Sequence, residues 1–396
     1  KHIAGMNDNT GDETAMYDPA STVWLKDGIY INVSSFAVID NIEAKASGET
    51  SKGDVIAWTV PAVSALYKQG EIAGFLYLNI LDGAPFASIQ WDDGTLSTAE
   101  ENDLLWKKIS SLGAGLPASN ATTNKVEASS VTYNVTLGGA YKINDMFSVS
   151  LAGRYITSKT KTKLDGNATG VAGDYKLTLE YEEEADGFGG VIGFNVVPAH
   201  GWLIGLTYAT PVKREFKKDV TKTKVTGTNP AVATGYSTIL AGIGDNTFDG
   251  KKDNYDMPGM VTLTAAGMPV LGTIIALQVN YMLNKQADWE DAEDDYDNTI
   301  VYMLALTQFL NQQLRFSLGL MYADKGTKDD YVNPSAVDVN PQSDEIGLGL
   351  CGAYSIDENL NVALTYSYTY YTEIKYEVEK LNKDRHVVGI QVGYKM

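Results

Sequence analysis

Two arginines are the side chains of this sequence best suited to bind a charged ligand group. Arg154 and Arg315 each lie in a segment where large apolar residues alternate with small or polar ones. A guanidinium there can pair with a carboxylate, although it can equally serve as a structural ion-pair partner. Few side chains are available to bind a metal. The chain has only 3 His, which disfavours a His-built metal centre, and the lone Cys351 excludes a multi-thiolate site. The sequence therefore predicts no cofactor and no metal site.

The composition of the chain excludes several classes of protein. Its 396 residues carry 31 Lys plus Arg against 50 Asp plus Glu, so the basic footprint of a nucleic-acid-binding protein is missing. No apolar run reaches the roughly 18 residues of a transmembrane helix. The 24 Tyr are numerous, and aromatic residues form girdles at membrane–water interfaces. This enrichment is a first indication of a membrane protein.

The elements that position the two arginines read as β-strands, because hydrophobicity alternates with a period of two almost everywhere. Between Leu360 and Tyr370, large apolar residues alternate with small or polar ones, and the same holds between Leu314 and Tyr322. The pattern predicts fourteen strands. They are 28–40, 54–67, 71–81, 131–142, 147–162, 175–197, 201–218, 258–268, 271–286, 298–310, 313–325, 344–355, 360–376 and 385–395.

The connections between the predicted strands alternate between short turns and long loops. This alternation, with an even number of strands, is typical of an outer-membrane barrel. Most strands reach the roughly 9–11 residues that cross a bilayer, whereas soluble sandwiches usually have strands of about 5–6. A soluble jelly roll or propeller is the alternative, but its polar faces would carry more Lys and Glu. The sequence therefore predicts an all-β, 14-stranded antiparallel transmembrane β-barrel.

Two parts of the chain do not belong to the predicted wall. Residues 1–27 precede the first strand without alternation, and they can form either a disordered tail or a plug inside the barrel. The long loop 82–130 contains a predicted helix at 97–113. The apolar face of that helix either packs within the loop or lines an external groove, whose opposite wall would come from loop 219–257. The residues of this face are Leu105, Trp106, Ile109 and Leu112.

Three short stretches of the chain carry a resemblance to a known family. They are Asp18-Pro19-Ala20 within residues 12–24, Tyr208 to Arg214, and Gly139 to Asp145. The first resembles the Asn-Pro-Ala run in the hatch, the N-terminal plug, of the FadL family of outer-membrane transporters for fatty acids and other hydrophobic compounds. Here Asp18 stands in place of the Asn. The second is similar to the family's Tyr-x-Ser-Pro-Val-Lys stretch, and the third to its usual approach to a short turn.

The resemblance implies a function, a path and a location. A FadL-like barrel lies in the bacterial outer membrane and takes up hydrophobic small molecules such as fatty acids passively. Residues 28–396 would form the barrel, monomeric and surrounded by outer-membrane lipid and lipopolysaccharide. A ligand would meet the external groove, pass to a lumenal site above a hatch of residues 1–27, and leave sideways near Gly74 in the third strand. By the alternation, the lumenal candidates are Arg154, Arg315, Phe36, Ile156 and Met321.

Two other functions stay open. A general diffusion porin for small polar solutes would be favoured by a lumen rich in opposed charges and by the absence of a plug. A rim hydrolase is the enzyme alternative, since Asp384 and His386 lie near the predicted outer rim. No Ser-x-x-x-His spacing or Gly-x-Ser-x-Gly motif accompanies that pair. The residues therefore favour a transporter that is not an enzyme.

Overall fold

The structure, a computed structural model, describes most of the chain from Tyr17 onward. The described residues are 17–46, 49–83, 89–91, 119–170, 173–243, 249–290, 293, 296–326, 343–372, 374–376 and 379–396. The predicted helix at 97–113 lies outside them, and with it the groove residues Leu105, Trp106, Ile109 and Leu112.

The chain forms one closed antiparallel sheet. Its strands are β1 Gly28–Ala46, β2 Glu49–Gln69, β3 Ile72–Gly83, β4 Ile89–Trp91, β5 Ser119–Lys142, β6 Phe147–Gly170, β7 Gly173–Val196, β8 Trp202–Ala209, β9 Glu215–Gly227, β10 Lys252–Asn254, β11 Gly259–Val270, β12 Thr273–Leu283, β13 Thr299–Phe309, β14 Leu314–Asp324, β15 Glu345–Ser355, β16 Leu360–Tyr371, β17 Ile374–Tyr376 and β18 Glu379–Lys395. Pairs β3–β4, β8–β9, β10–β11 and β16–β17 each act as one interrupted wall strand, which leaves fourteen strands in the wall. Pairing of β1 with β18, from Tyr30 opposite Lys395 to Ala46 opposite Glu379, closes the barrel.

The predicted fourteen-stranded antiparallel barrel is confirmed. Several strands run further on the long-loop side than the alternation suggested. Strands β6 and β7 stay paired as far as Gly170 and Gly173, so the predicted loop at 163–174 is wrong. Opposite charges across the strands stabilise this extension, as between Asp165 and Lys176 at 3.6 Å. The extended strands form a sheet beyond the apolar wall.

The predicted strand 201–218 is interrupted, and the glycines of β7 give the reason. Residues 210–214 leave the strand between β8 and β9 and bend over the inner face of β7, where Val212 is fully buried. Gly187 leaves the necessary room, since a Cβ added there would lie 2.2 Å from the carbonyl oxygen of Lys213. The bend therefore narrows the lumen at this point.

The outer face of the wall is apolar, and the inner face is small or polar. Leu151 on β6 and Phe188 on β7 point outward, 69% and 76% exposed. Ser150 and Asn195, on the same two strands, point inward and are buried. An apolar exterior around a closed barrel is the surface that a bilayer contacts, so the chain is a multi-pass barrel of the outer-membrane type. Among the described residues, no helix is long and apolar enough to cross a membrane.

A helix of the long loop after β9 covers the extended sheet. Helix α1, Pro230–Ile243, lies against β9. Its Tyr236 and Leu240 are fully buried, and the ring of Tyr236 meets the ring of Tyr175 edge-on at 5.3 Å between centroids. The apolar face of α1 therefore packs on a core with β7 and β9, and the groove between loops 82–130 and 219–257 stays a prediction.

Candidate functional site

A recess opens in the lumen where β5, β6, β7, β8 and β11 face the N-terminal segment. Its empty volume, counted out to the open lumen, is about 510 Å³. Its lining residues are Pro19, Leu81, Asn134, Thr136, Ala152, Arg154, Val191, Thr207, Ala209, Met260 and Thr262. A recess with an apolar lining and a few polar groups suits a molecule with an apolar body and one polar end.

Arg154 is the one charged side chain of this lining. Its Nη2 donates a hydrogen bond to the carbonyl oxygen of Thr210, in the inward bend between β8 and β9. Its Nε is buried and has no hydrogen-bond partner within the described part of the chain. A buried donor without an acceptor costs free energy. Arg154 therefore contributes an incompletely paired positive charge to the lining of the recess.

A second guanidinium, which the sequence reasoning missed, belongs to the same side of the lumen. Arg214 is buried, and it donates to the hydroxyl of Ser158 at 2.9 Å and to the carbonyl oxygen of Tyr255 at 3.0 Å. Its backbone N–H donates to Asp256 at 3.0 Å. Among the described residues, neither Arg154 nor Arg214 makes a direct side-chain ion pair. This side of the lumen is therefore attractive to an anion.

The other predicted lumenal residues are spread around the barrel. Ile156 is fully buried on the inner face of β6, one inward position along from Arg154. Phe36 is buried on the inner face of β1. Arg315 and Met321 stand on the inner face of β14, nearly opposite β6 in the ring of wall strands. The structure thus does not bring the two predicted arginines together.

Opposed charges occupy the lumen on the side of β1 and β18. Asp40 accepts two hydrogen bonds from Arg385, at 2.6 and 2.7 Å, and lies 3.3 Å from the ammonium of buried Lys383. A second buried pair joins Lys325 and Glu345 at 2.5 Å. These groups are paired with one another, so they offer less to a ligand than the unpaired guanidiniums across the lumen.

The end of the N-terminal segment packs on the inner face of the wall. Residues Pro19–Trp24 form a 3₁₀ turn that contacts β3, β5, β6, β7 and β8. The hydroxyl of Ser148 donates to the carbonyl oxygen of Ala20 at 2.7 Å and accepts from Nε1 of Trp24 at 3.2 Å. The ammonium of Lys142 lies 5.0 Å from the centre of the Trp24 ring. The turn is thereby attached to the short-turn end of the lumen.

Asp18, at the start of this turn, is attached to two strands of the wall. Its Oδ2 accepts hydrogen bonds from Nδ2 of Asn195 on β7 at 3.1 Å and from the hydroxyl of Thr264 on β11 at 3.4 Å. Its Oδ1 is buried and has no partner among the described residues. Burial raises the pKa of Asp18 from its ordinary 3.8 to about 7, because the ionised form loses its water.

The hydrogen-bond ladder between β2 and β3 stops part-way along the wall. Within residues 49–83, pairing of the two strands ends at Ala62 opposite Asn79. The next residue of β2 is Pro61, which has no N–H to donate to a neighbouring strand. Within the described residues the β2–β3 ladder therefore ends here, although β2 lies close to β4 further along the wall.

Strand β3 is irregular at the same height, and this affects the recess. Its register on β5 shifts between Ile80 and Asp82, and Leu81 lines the recess. At Gly74, the predicted lateral gate, the ladders to β2 and β5 both continue without a break. In the described residues the discontinuity of the third wall strand thus lies at Leu81, not at Gly74.

Comparison with known proteins shows which fold this barrel has. No family model matches the chain, and no curated protein matches it. A solved FadL homologue of Pseudomonas aeruginosa matches with a TM-score of 0.68 at 13% identity, over 99% of this chain and 95% of that one. The fold is the FadL fold. The toluene transporter TodX of Pseudomonas putida matches with a TM-score of 0.62 at 13% identity, over 99% of this chain and 95% of that one. The toluene transporter TbuX of Ralstonia pickettii matches with a TM-score of 0.61 at 12% identity, over 98% of this chain and 96% of that one.

In this FadL fold, two of the three motif stretches of the sequence meet at the recess. Pro19, from the N-terminal stretch, lines it. Ala209 lines it from the second stretch, and the adjacent Thr210 holds Arg154 by its carbonyl oxygen. Residues far apart in the sequence therefore contribute to one site.

The structure brings together Asp384 and His386, the pair on which the enzyme alternative rests. Nε2 of His386 lies 3.1 Å from the carboxylate of Asp384, and its Nδ1 lies 2.9 Å from the hydroxyl of Tyr366. His386 therefore lies between a carboxylate and a phenol hydroxyl. The matching structures of the FadL fold named above are a FadL homologue and transporters, not enzymes.

Proposed function

We propose that the protein takes up hydrophobic small molecules, such as long-chain fatty acids, passively across the bacterial outer membrane. The observation that carries the proposal is the recess beside Arg154, where a largely apolar lining surrounds one guanidinium whose Nε has no partner in the described residues. The FadL fold supports it, since the solved proteins of this fold include a FadL homologue and two toluene transporters.

Both ends of a fatty acid meet matching chemistry in the recess. Each CH₂ group that leaves water contributes about 0.8 kcal/mol. The carboxylate would be attracted by the guanidinium of Arg154 in the lining, and Arg214 would add attraction at longer range. A neutral hydrocarbon would use the apolar lining alone, without dependence on Arg154.

The proposed path has three stages. Outside the membrane, Leu105, Trp106, Ile109 and Leu112 would offer an apolar groove. The recess follows, and the hatch of residues 1–27, through Asp18-Pro19-Ala20, would close the lumen below it. We place the exit at the discontinuity beside Pro61 rather than at Gly74. This position is supported by Leu81, which belongs both to the irregular part of β3 and to the recess.

The barrel would work as a monomer in outer-membrane lipid and lipopolysaccharide. Every wall strand carries at least one exposed large apolar side chain, so the described exterior offers lipid a continuous apolar surface. Examples on opposite sides of the ring are Leu151 on β6 and Phe316 on β14. A stable subunit interface would interrupt this surface, and cross-linking in native membranes tests it.

Calorimetric titration of the purified barrel tests the recess. Wild-type protein should bind dodecanoate more tightly than dodecanol, because only the former carries a carboxylate for Arg154. Arg154→Ala should remove this preference, a loss of about tenfold or more in dodecanoate affinity. The matched control is Arg315→Ala, which removes an inner-face arginine from the opposite wall and should keep the preference. Equal loss in both variants, or in neither, would contradict the assignment.

A general diffusion porin is the second candidate, and one observation favours it. The lumenal group of Asp40, Lys383 and Arg385 resembles the opposed charges of a polar pore. Planar-bilayer recording separates the two functions. A steady, ohmic ion conductance would favour the porin, whereas the proposed transporter should stay closed to ions when its N-terminal segment is in place.

A further inference from the structure

The buried carboxyl of Asp18 has an unusual environment for an acid. One oxygen accepts from both Asn195 and Thr264, while the other is buried and makes no full hydrogen bond in the described residues, with only the hydroxyl and N–H of Ser21 close enough to favour its ionised form weakly. An ionised carboxylate needs donors on both oxygens once water is removed. The neutral acid needs fewer, because its protonated oxygen is itself a donor. The geometry therefore fits the protonated form of Asp18 better than the ionised one.

Among the described residues, no charged group pairs with an ionised Asp18. The wall presents uncharged side chains to the segment: Ser148 and Ser150 from β6, Asn195 from β7, Thr207 from β8, Thr264 from β11, and alanines from β3 and β5. The cations that reach the segment contact other parts of it, since Lys142 lies on the Trp24 ring and Arg154 lines the recess beside Pro19. Within the described residues, neither makes an ion pair with Asp18.

Other carboxyls near the short turns behave in the opposite way. The hydrogen bond and charge of Lys68 lower the pKa of Asp27, and those of Lys142 lower the pKa of Asp145. Both carboxyls therefore stay ionised above about pH 4, so their charge does not change between that pH and neutral pH. Asp18 differs from these two carboxyls, since its pKa is raised to about 7.

We propose that Asp18 is a proton-dependent latch, which holds the N-terminal segment against the inner wall when protonated and loosens it when ionised. The attachment site is the polar contact of Asp18 with Asn195 and Thr264 over Gly205. A Cβ added at Gly205 would lie 2.5 Å from the Thr264 hydroxyl and 2.8 Å from Oδ2 of Asp18, so the latch requires a glycine there. The segment would thereby couple the state of the lumen to pH.

The direction of the effect follows from linkage. The docked carboxyl has a pKa of about 7, above the 3.8 of the free group, so docking takes up a proton between these values. The docking equilibrium should be strongest below about pH 4 and should weaken by up to about tenfold per pH unit until about pH 7. Above that pH both forms are ionised, and the equilibrium should level off.

Hydrogen exchange with mass spectrometry on the purified full chain tests the latch. The peptide covering 19–25 reports docking, and wall peptides from β13 and β14 serve as the internal reference. After correction for the intrinsic exchange rate, wild-type protection of 19–25 should fall between pH 4 and pH 7, while the wall peptides stay unchanged. Asp18→Asn keeps the shape and cannot ionise, so its 19–25 peptide should stay protected at every pH.

A second variant shows that the peptide reports docking. Gly205→Ala should lower the protection of 19–25 at every pH while the wall peptides stay protected. The latch is refuted if wild type and Asp18→Asn share one pH profile, or if wild-type protection does not change with pH. It is also refuted if 19–25 is unprotected in both proteins. The outcome is independent of ligand uptake, because no ligand is present.

Discussion

The guanidinium of Arg154 is bonded to the carbonyl oxygen of Thr210, and this contact ties β6 to the inward bend between β8 and β9. The bend leaves this carbonyl oxygen inside the lumen, whereas in a regular strand it would accept a hydrogen bond from a neighbouring strand. One side of the guanidinium is thus fixed, and its Nε stays without a partner in the described residues. The bend therefore orients the proposed head-group site as well as narrowing the lumen.

Gly187→Ala should disturb this bend. The added Cβ would meet the Lys213 carbonyl oxygen at 2.2 Å and a methyl group of Val212 at 2.6 Å, so the bend must shift. Overpacking of this kind costs about 1–3 kcal/mol. We expect a lower unfolding midpoint in urea and weaker dodecanoate binding. Gly153→Ala is the control, since its Cβ would meet nothing within 4 Å. Equal stability of the two variants would contradict the packing described for the bend.

Arg385→Ala should destabilise the barrel strongly. The substitution leaves the buried carboxylate of Asp40 with Lys383 alone, at 3.3 Å. Breaking a buried ion pair typically costs about 3–5 kcal/mol, so we expect a loss near the lower end, about 3 kcal/mol, in equilibrium unfolding. The control is Lys252→Ala, whose ion pair with Glu215 is exposed and should be worth less than about 1 kcal/mol. Similar losses would show that Asp40 is hydrated rather than buried.

Leu81→Trp and Gly74→Ala distinguish the two positions for a lateral exit. Leu81 lines the recess beside the discontinuity, so a larger side chain should slow uptake of a labelled fatty acid into cells several-fold. A Cβ at Gly74 would approach its nearest neighbour, the Gly138 carbonyl oxygen, only to 4.0 Å, so Gly74→Ala should leave uptake unchanged. Surface expression of both variants is measured alongside. Slower uptake in Gly74→Ala alone would return the exit to Gly74.

The wall of the barrel could be predicted from the sequence because a bilayer on one side and a lumen on the other impose a period of two. On β16, Leu364 is exposed while the neighbouring Ala363 is buried, as the alternation requires. The alternation ends where the lipid ends. Beyond that height both faces of a strand are polar, so residues 163–170 and 173–174 read as a loop although they form strands.

The lumenal charges could be predicted only in part, for the same reason. Arg154 lies within the alternating part of β6 and was assigned to the inner face from its parity. Lys383 falls in the predicted loop 377–384, and Arg214 in the irregular bend after Pro211, where parity gives no face. The Pro211 and glycine pattern was a signal for the bend, but which strand the bend packs on depends on contacts between distant residues.

Native mass spectrometry of the barrel purified from outer membranes in mild detergent tests the central proposal most directly. We expect one amphiphile or hydrophobic molecule per barrel, retained by Arg315→Ala and, if it carries a carboxylate, lost from Arg154→Ala. A bound molecule lost from neither variant would move the site away from the Arg154 recess. An empty barrel that also conducts ions steadily in a planar bilayer would contradict the uptake of hydrophobic molecules and identify an open porin.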